Sequence, residues 1–145
     1  MKISQKGIDL IKSFEGFRSE AYICPGGVLT IGYGHTKNVK DGDTITKAAA
    51  EKLLYEEVEY YAESVSKYIT SAINQDQFDA LVSLCYNIGP TRFFNSPVRR
   101  IVNENPREYA RIEKAFHQHI RGGGEILPGL VRRREEEFNL DCSKL

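Results

Sequence analysis

Residues 14–36 read FEGFRSEAYICPGGVLTIGYGHT, and the change of character inside this stretch decides the architecture. Just before it, Ser4 is suited to cap a helix, and Ile8, Ile11 and Phe14 recur at helical spacing until Gly16 supplies a stop. Glu15 therefore falls in the last turn of a first helix. From Tyr22 to His35 the residues become Gly, Pro, β-branched and aromatic, which predicts a short hairpin or small sheet turning at Pro25-Gly26-Gly27. The polar segment KNVKDGDT, residues 37–44, closes that unit as a loop.

Working outward, Thr46 is placed to cap a long helix, KAAAEKLLYEEVEYYAESVSKYI, in which Ala50, Leu53, Leu54, Val58, Tyr61, Ala62 and Val65 form an apolar stripe. Its length suits a connector between two lobes. Asn74 or Asp76 starts another helix, with Phe78, Leu81, Val82 and Cys85 on one side, ending near Gly89-Pro90. Ser96-Pro97 is a cap followed by a first-turn proline and predicts a helix to about Asn103. Two more helices are expected, from Pro106 to about Ile120 and from Gly129 to about Leu140, separated by a Gly122-Gly123-Gly124 linker. The result is an α+β chain: a small N-terminal β-containing lobe, a helical C-terminal lobe, and a cleft between them.

Composition limits the functions available. With 145 residues and 41% apolar residues, the chain has the length and core of one domain. Its 20 basic and 20 acidic residues cancel, so no overall field draws it to nucleic acid or to an anionic membrane. Arg132, Arg133 and Arg134, like Glu56, Glu57, Glu59 and Glu63, read as solvated helix faces. The start, MKISQKG, has no apolar signal-peptide core, and no apolar run reaches the roughly 18 residues of a membrane span, so a soluble chain made in the cytoplasm is expected. Cys24, Cys85 and Cys142 are odd in number and lack metal-ligand spacing, which argues against a disulfide framework and a zinc site. Cys85, within ALVSLCYNIG, reads as a small core residue.

A carboxylate in the last turn of a helix faces the negative end of the macrodipole and several unpaired carbonyls, an environment that favours a proton-bearing carboxyl. Glu15 is thus a candidate general acid, set against an ordinary surface glutamate beside a capping glycine. His35 at a strand end reads as structural, Thr30 as a strand residue and Cys24 as a turn thiol.

Taken together, these residues say more. Glu15, eight residues, Cys24, five residues, Thr30, and then Ile31-Gly32-Tyr33-Gly34-His35-Thr36, resemble the catalytic segment of the phage-type lysozymes, the endolysins of glycoside hydrolase family 24. QFDALVSLCYNIG resembles the family's mid-chain helix, FFNSPVRRIVN the next, and LPGLVRRREEE its C-terminal Arg-rich helix, so the likeness covers roughly residues 4 to 140. It implies one lysozyme-like domain over 1–145, with an N-terminal lobe at about 14–60 and a C-terminal lobe at about 70–145 on which the first helix packs. It also implies a muramidase that cuts the β-1,4 bond between N-acetylmuramic acid and N-acetylglucosamine in peptidoglycan, without metal or cofactor. The expected setting is the host bacterial cytoplasm before lysis and then the periplasm and wall, reached by a monomer through a holin-type lesion, without nucleic acid or stable membrane association.

By the same resemblance Glu15 maps to the general acid, Thr30 to the residue that helps hold the attacking water, and Cys24 to a position where many members carry Asp. Thr36, Tyr86, Asn87 and Ser96 map to the saccharide groove, and one of Arg132, Arg133 and Arg134 is expected near Glu15. A thiol beside a carboxylate is expected to be held up and mostly neutral. Water positioning is therefore the favoured role for Cys24, with base and nucleophile as alternatives. Where the family usually has a tryptophan after Ala-Phe, this chain reads Ala115-Phe116-His117-Gln118-His119, so packing of the C-terminal lobe is expected to differ. Two other functions compete, a catalytically silent glycan-binding relative and a chitinase-like hydrolase.

Overall fold

A computed structural model describes residues 1–24, 26–122 and 124–142. Pro25 and Gly123, to which the sequence reading assigned a turn and a linker, lie outside the described residues. The first helix, α1 (Gln5–Glu15), is capped by Ser4, whose side chain accepts from the Gly7 amide, and it stops at Gly16. Ile8 and Ile11 are its buried face. Gly7 brings α1 close to the third helix, α3 (Gln75–Ile88), since a Cβ at Gly7 would lie 2.8 Å from the Asp79 carboxyl carbon. Asp79, itself buried, accepts from the Ser4 amide at 3.0 Å, which ties the start of α1 to α3, and from Gln75 Nε2 of its own helix at 2.8 Å.

Strands β1 (Arg18–Ile23) and β2 (Leu29–Gly32) form an antiparallel hairpin, with Tyr22 opposite Thr30 and Ile23 opposite Leu29. The register is irregular between Arg18 and Tyr22. The end of the polar loop adds to the free edge of β1, through Ala21 N to Asp43 O at 2.9 Å and Ile45 N to Ser19 O at 2.8 Å. A two-stranded ribbon is marginal on its own. Here it is supported by α2 (Lys47–Tyr68), for Tyr33 joins the same buried cluster as Ala50, Leu54 and Val58. Of the expected apolar stripe, α2 buries Ala50, Leu54, Val58, Ala62 and Val65, while Leu53 and Tyr61 are only partly covered.

The helical lobe centres on α3, whose N-terminus carries a capping box built from Asn74 and Gln77. Around it lie α4 (Pro90–Phe94), α5 (Pro97–Glu104), α6 (Tyr109–Phe116) and α7 (Pro128–Asp141). One buried cluster runs from Ile8 through Phe78, Leu81 and Phe93 to Phe138. The end of α3 near Gly89-Pro90 is observed as expected, with Gly89 as its C-cap, and a proline at the first helical position then starts the five-residue α4. Two expectations are corrected. The helix expected from Pro106 to Ile120 is confined to Tyr109–Phe116. The segment expected as a glycine linker contributes a two-residue hairpin, β3 (Arg121–Gly122) with β4 (Glu125–Ile126). Phe116 is fully buried and packs edge-on against Phe138 at 6.4 Å, while His117, in the place after Ala-Phe, caps the end of α6. Among the described residues no helix is long and apolar enough to cross a membrane.

Candidate active site

Glu15 closes α1 and stands where the two lobes meet. Its Oε2 accepts from Arg133 Nη1 of α7 at 3.3 Å, and the pair is largely sheltered, with side-chain exposures of 18% and 4%. On the other side the turn after β2 closes over the carboxyl. A Cβ at Gly34 would lie 2.8 Å from Oε1 and 3.2 Å from Cδ, and φ at Gly34 is +79°, so this approach needs glycine on two counts. Beside the carboxyl opens a groove of about 690 Å³ lined by Phe14, Glu15, Asn87, Pro128, Arg132 and Arg133. It is concave, mixed in polarity and carries a carboxyl at its wall, the features expected of a ligand site.

Arg132 is exposed as composition suggested, but Arg133 and Arg134 are not part of a solvated face, which corrects the reading for those two. Arg133 is 3% exposed and Arg134 is fully buried. Helix periodicity sends two successive residues inward here because a fully buried carboxylate, Glu137, receives both. Arg133 Nε lies 3.2 Å from Glu137 Oε2, and Arg134 Nε lies 2.7 Å from Oε1. Arg133 also donates to the Ser83 carbonyl at 3.2 Å and sits 5.2 Å from the centre of the Phe14 ring.

Cys24 sits at the tip of the β1–β2 hairpin. Its amide donates to Val28 O at 3.0 Å and its carbonyl accepts from Gly27 N at 2.8 Å, which folds the tip into a tight loop. The thiol is not held up as expected. Hydrogen bonding from the Val28 backbone pulls it below its ordinary value, burial opposes this, and the Thr30 side chain and the Gly26 and Cys24 backbone add to the lowering. Thr30 is almost fully buried and its Oγ1 donates to Val28 O at 3.0 Å, so it braces the loop that carries the thiol. By contrast Cys85 is a core residue, its thiol pushed up to about 12 by burial.

The four residues mapped to the saccharide groove separate. Asn87 is exposed and lines the groove with Glu15. Tyr86 is near enough to sense the Glu15 charge, and burial, that charge and Glu57 push its phenol up. Yet its hydroxyl donates to the Tyr33 carbonyl at 3.0 Å and its ring meets Tyr61 edge-on at 5.0 Å, so it bridges α3 to the turn after β2 rather than offering a free face. Thr36 is exposed just past that turn. Ser96 is not among the residues lining the groove beside Glu15. It is 4% exposed, accepts from Arg99 N at 3.1 Å as the α5 cap, donates to Phe93 O at 2.7 Å, and borders a different groove, with Phe94 and Arg99. His35 is structural as expected, its Nδ1 paired with Glu57 of α2 and its backbone bonded in both directions to Ile31 at 2.9 Å. Glu137, Ser83 and Gly34 were missed. Only the glycine left a trace in the sequence, as part of Gly-Tyr-Gly; the partners of a buried ion pair come from distant segments and leave none.

Residues 12–137 match the family described as phage lysozyme. The chain is 40% identical over 139 residues to an endolysin of Acyrthosiphon pisum secondary endosymbiont phage 1, covering 94% of this chain and 95% of that one. Against an endolysin of Bacillus phage B103, 39% identical, it spans 54% of the relative's length. Among solved structures it is similar to the muramidase domain of SpmX from Asticaccaulis excentricus, with a TM-score of 0.87 and 39% identity over 97% of both chains. It is also similar to the endolysin from Escherichia coli O157:H7 phage FAHEc1, with a TM-score of 0.89 and 35% identity over 100% of this chain and 96% of that one.

Proposed function

As this chain belongs to the phage lysozyme family, we propose that it lyses bacterial walls by hydrolysing the β-1,4 bond between N-acetylmuramic acid and N-acetylglucosamine in peptidoglycan, with Glu15 as general acid. The observation that carries this reading is the Glu15 carboxyl at the wall of a groove of mixed polarity, gripped by Arg133 at 3.3 Å and enclosed by Gly34. An acid so placed gives its proton to the leaving glycosidic oxygen, and the adjacent guanidinium then stabilises the carboxylate left behind. Cys24 supplies the second group. Its lowered thiol makes a thiolate more accessible near neutral pH than in a free cysteine, and this supports a role as base on the attacking water, with Thr30 bracing the loop.

In that step the water oxygen bonds to the anomeric carbon as the glycosidic bond breaks, the water proton passes to sulfur, and the Glu15 proton passes to the leaving oxygen. Attack from the face opposite the leaving group inverts the anomer, as in two-group glycosidases that leave room for a water. Asn87 is the groove residue best placed to hydrogen-bond the glycan. Holin-dependent release and action as a monomer belong to the same proposal and rest on the family resemblance. The experiment is digestion of purified peptidoglycan followed by mass and reducing-end analysis of the soluble fragments. New N-acetylmuramic acid reducing ends support the assignment; binding without release, or release from chitin alone, overturns it.

A further inference from the structure

We infer that Glu137 is a positioning residue for the acid: it holds the Arg133 guanidinium against Glu15 from inside the protein. The inference rests on the reading of Glu15 as the acid. Its geometry is a relay in three layers. Ser83 of α3 donates its hydroxyl to Glu137 Oε2, that same oxygen takes Arg133 Nε at 3.2 Å, and the far side of the same guanidinium, Nη1, reaches Glu15 Oε2 at 3.3 Å. Nη2 is fixed as well, by the Ser83 carbonyl at 3.2 Å and its hydroxyl oxygen at 3.4 Å. The guanidinium is thus held along its inner edge, and the remaining donor points at the acid. Arg134 occupies the other side of Glu137, with Nη2 3.2 Å from Oε2, so the carboxylate is clamped between two cations and has little freedom to follow a moving Arg133.

A buried carboxylate between two arginines is a poor device for stability alone, because the desolvation of three charges offsets most of their attraction, and apolar residues of similar volume do as well or better. What such a cluster does supply is one fixed geometry. Here that geometry ends at the acid, at a site where small displacements of a reacting group are expensive. The planar fork of arginine is what allows one side chain to be held on one edge and to act on another.

The test is steady-state digestion of soluble peptidoglycan fragments by the full chain. Glu137→Gln keeps the shape but leaves one arginine without a charged acceptor, and it is expected to lower kcat roughly tenfold or more with KM changed less than about twofold, as a displaced guanidinium affects the reacting group and not ground-state binding. In an Arg133→Ala background the same substitution is expected to add less than about a twofold further loss, since the residue it positions is gone. If Glu137→Gln does not fold at the assay temperature, Ser83→Ala carries the test, with a kcat loss of about two- to threefold at unchanged KM that disappears in the Arg133→Ala background. An unchanged kcat, a change confined to KM, or losses that multiply in the double variant overturns the inference and leaves Glu137 as packing. Glu15→Gln, run alongside, separates the two readings: if it stays active the acid assignment itself fails, whereas a dead Glu15→Gln with an unaffected Glu137→Gln rejects the positioning role alone.

Discussion

At the scale of a residue, Cys24 is where the structure changes the account most. Sequence reasoning placed a neutral thiol beside a carboxylate. Instead, the hairpin tip surrounds the sulfur with the Val28 backbone, the Thr30 side chain and the Gly26 and Cys24 backbone, which lower the thiol's pKa in spite of burial. A lowered thiol pKa enlarges the thiolate fraction at every pH below it, so activity that depends on the thiolate rises with pH and reaches its plateau earlier than an ordinary thiol would allow. A serine hydroxyl cannot ionise in this range. Cys24→Ser is therefore expected to lower turnover roughly 10²- to 10⁴-fold, the usual worth of a general base. Cys24→Asp, ionised over the whole neutral range, is expected to remain active, with the rising limb of its pH–rate profile displaced to lower pH. Kinetics of the two variants from pH 5 to 9 check this; a Ser variant close to wild type rejects the base role and returns Cys24 to water positioning.

At the scale of an element, what the sequence made legible was local and what it hid was long-range. Ser4, Thr46 and Ser96 were readable as helix starts, and Asn74 as one of two candidates with Asp76, because a cap is satisfied by residues two or three positions away; Ser4, Thr46, Asn74 and Ser96 are each observed as the cap of a helix. Glu15 was readable because its place at a helix end follows from Gly16. Arg133 was one of three equal candidates, since the choice is made by Glu137 and Ser83 packing from α7 and α3. The hairpin β3–β4 was hidden because two-residue strands have no periodicity to read. Ser96, mapped to the groove by resemblance, is observed as the cap of α5. Because its hydroxyl is spent on the Arg99 amide and the Phe93 carbonyl, Ser96→Ala is expected to cost about 1 kcal/mol of stability while leaving KM for wall fragments unchanged. Thermal melting beside steady-state kinetics checks both halves, and a raised KM at unchanged stability would restore the residue to the groove.

At the scale of the whole molecule, buried Asp141 and half-buried His119 in the helical lobe act on stability in opposite directions with pH. Asp141, at the end of α7, is pushed up to about 7 by burial, with Gln77 opposing. A carboxyl whose folded value exceeds its unfolded value contributes fully below the unfolded value near 3.8, and that contribution is lost as pH rises toward 7. His119 is pushed down to about 4 by burial and by Arg134 and Arg92, so its contribution is present above 6.5 and is lost as pH falls toward 4. Asp141→Asn is accordingly expected to raise Tm at pH 8, with the gain shrinking to nothing near pH 4; a gain independent of pH contradicts the assignment. Asp141 lies on α7, the helix that also carries Arg133 to Glu15. Whether that arrangement is a glycosidase site is decided most directly by the turnover of Glu15→Gln on purified peptidoglycan, with folding checked by melting. The account predicts a folded variant that still sediments with the wall and has lost at least about 10²-fold in release of reducing ends, the least that general acid catalysis usually contributes. A folded variant retaining more than about a tenth of wild-type turnover would contradict it.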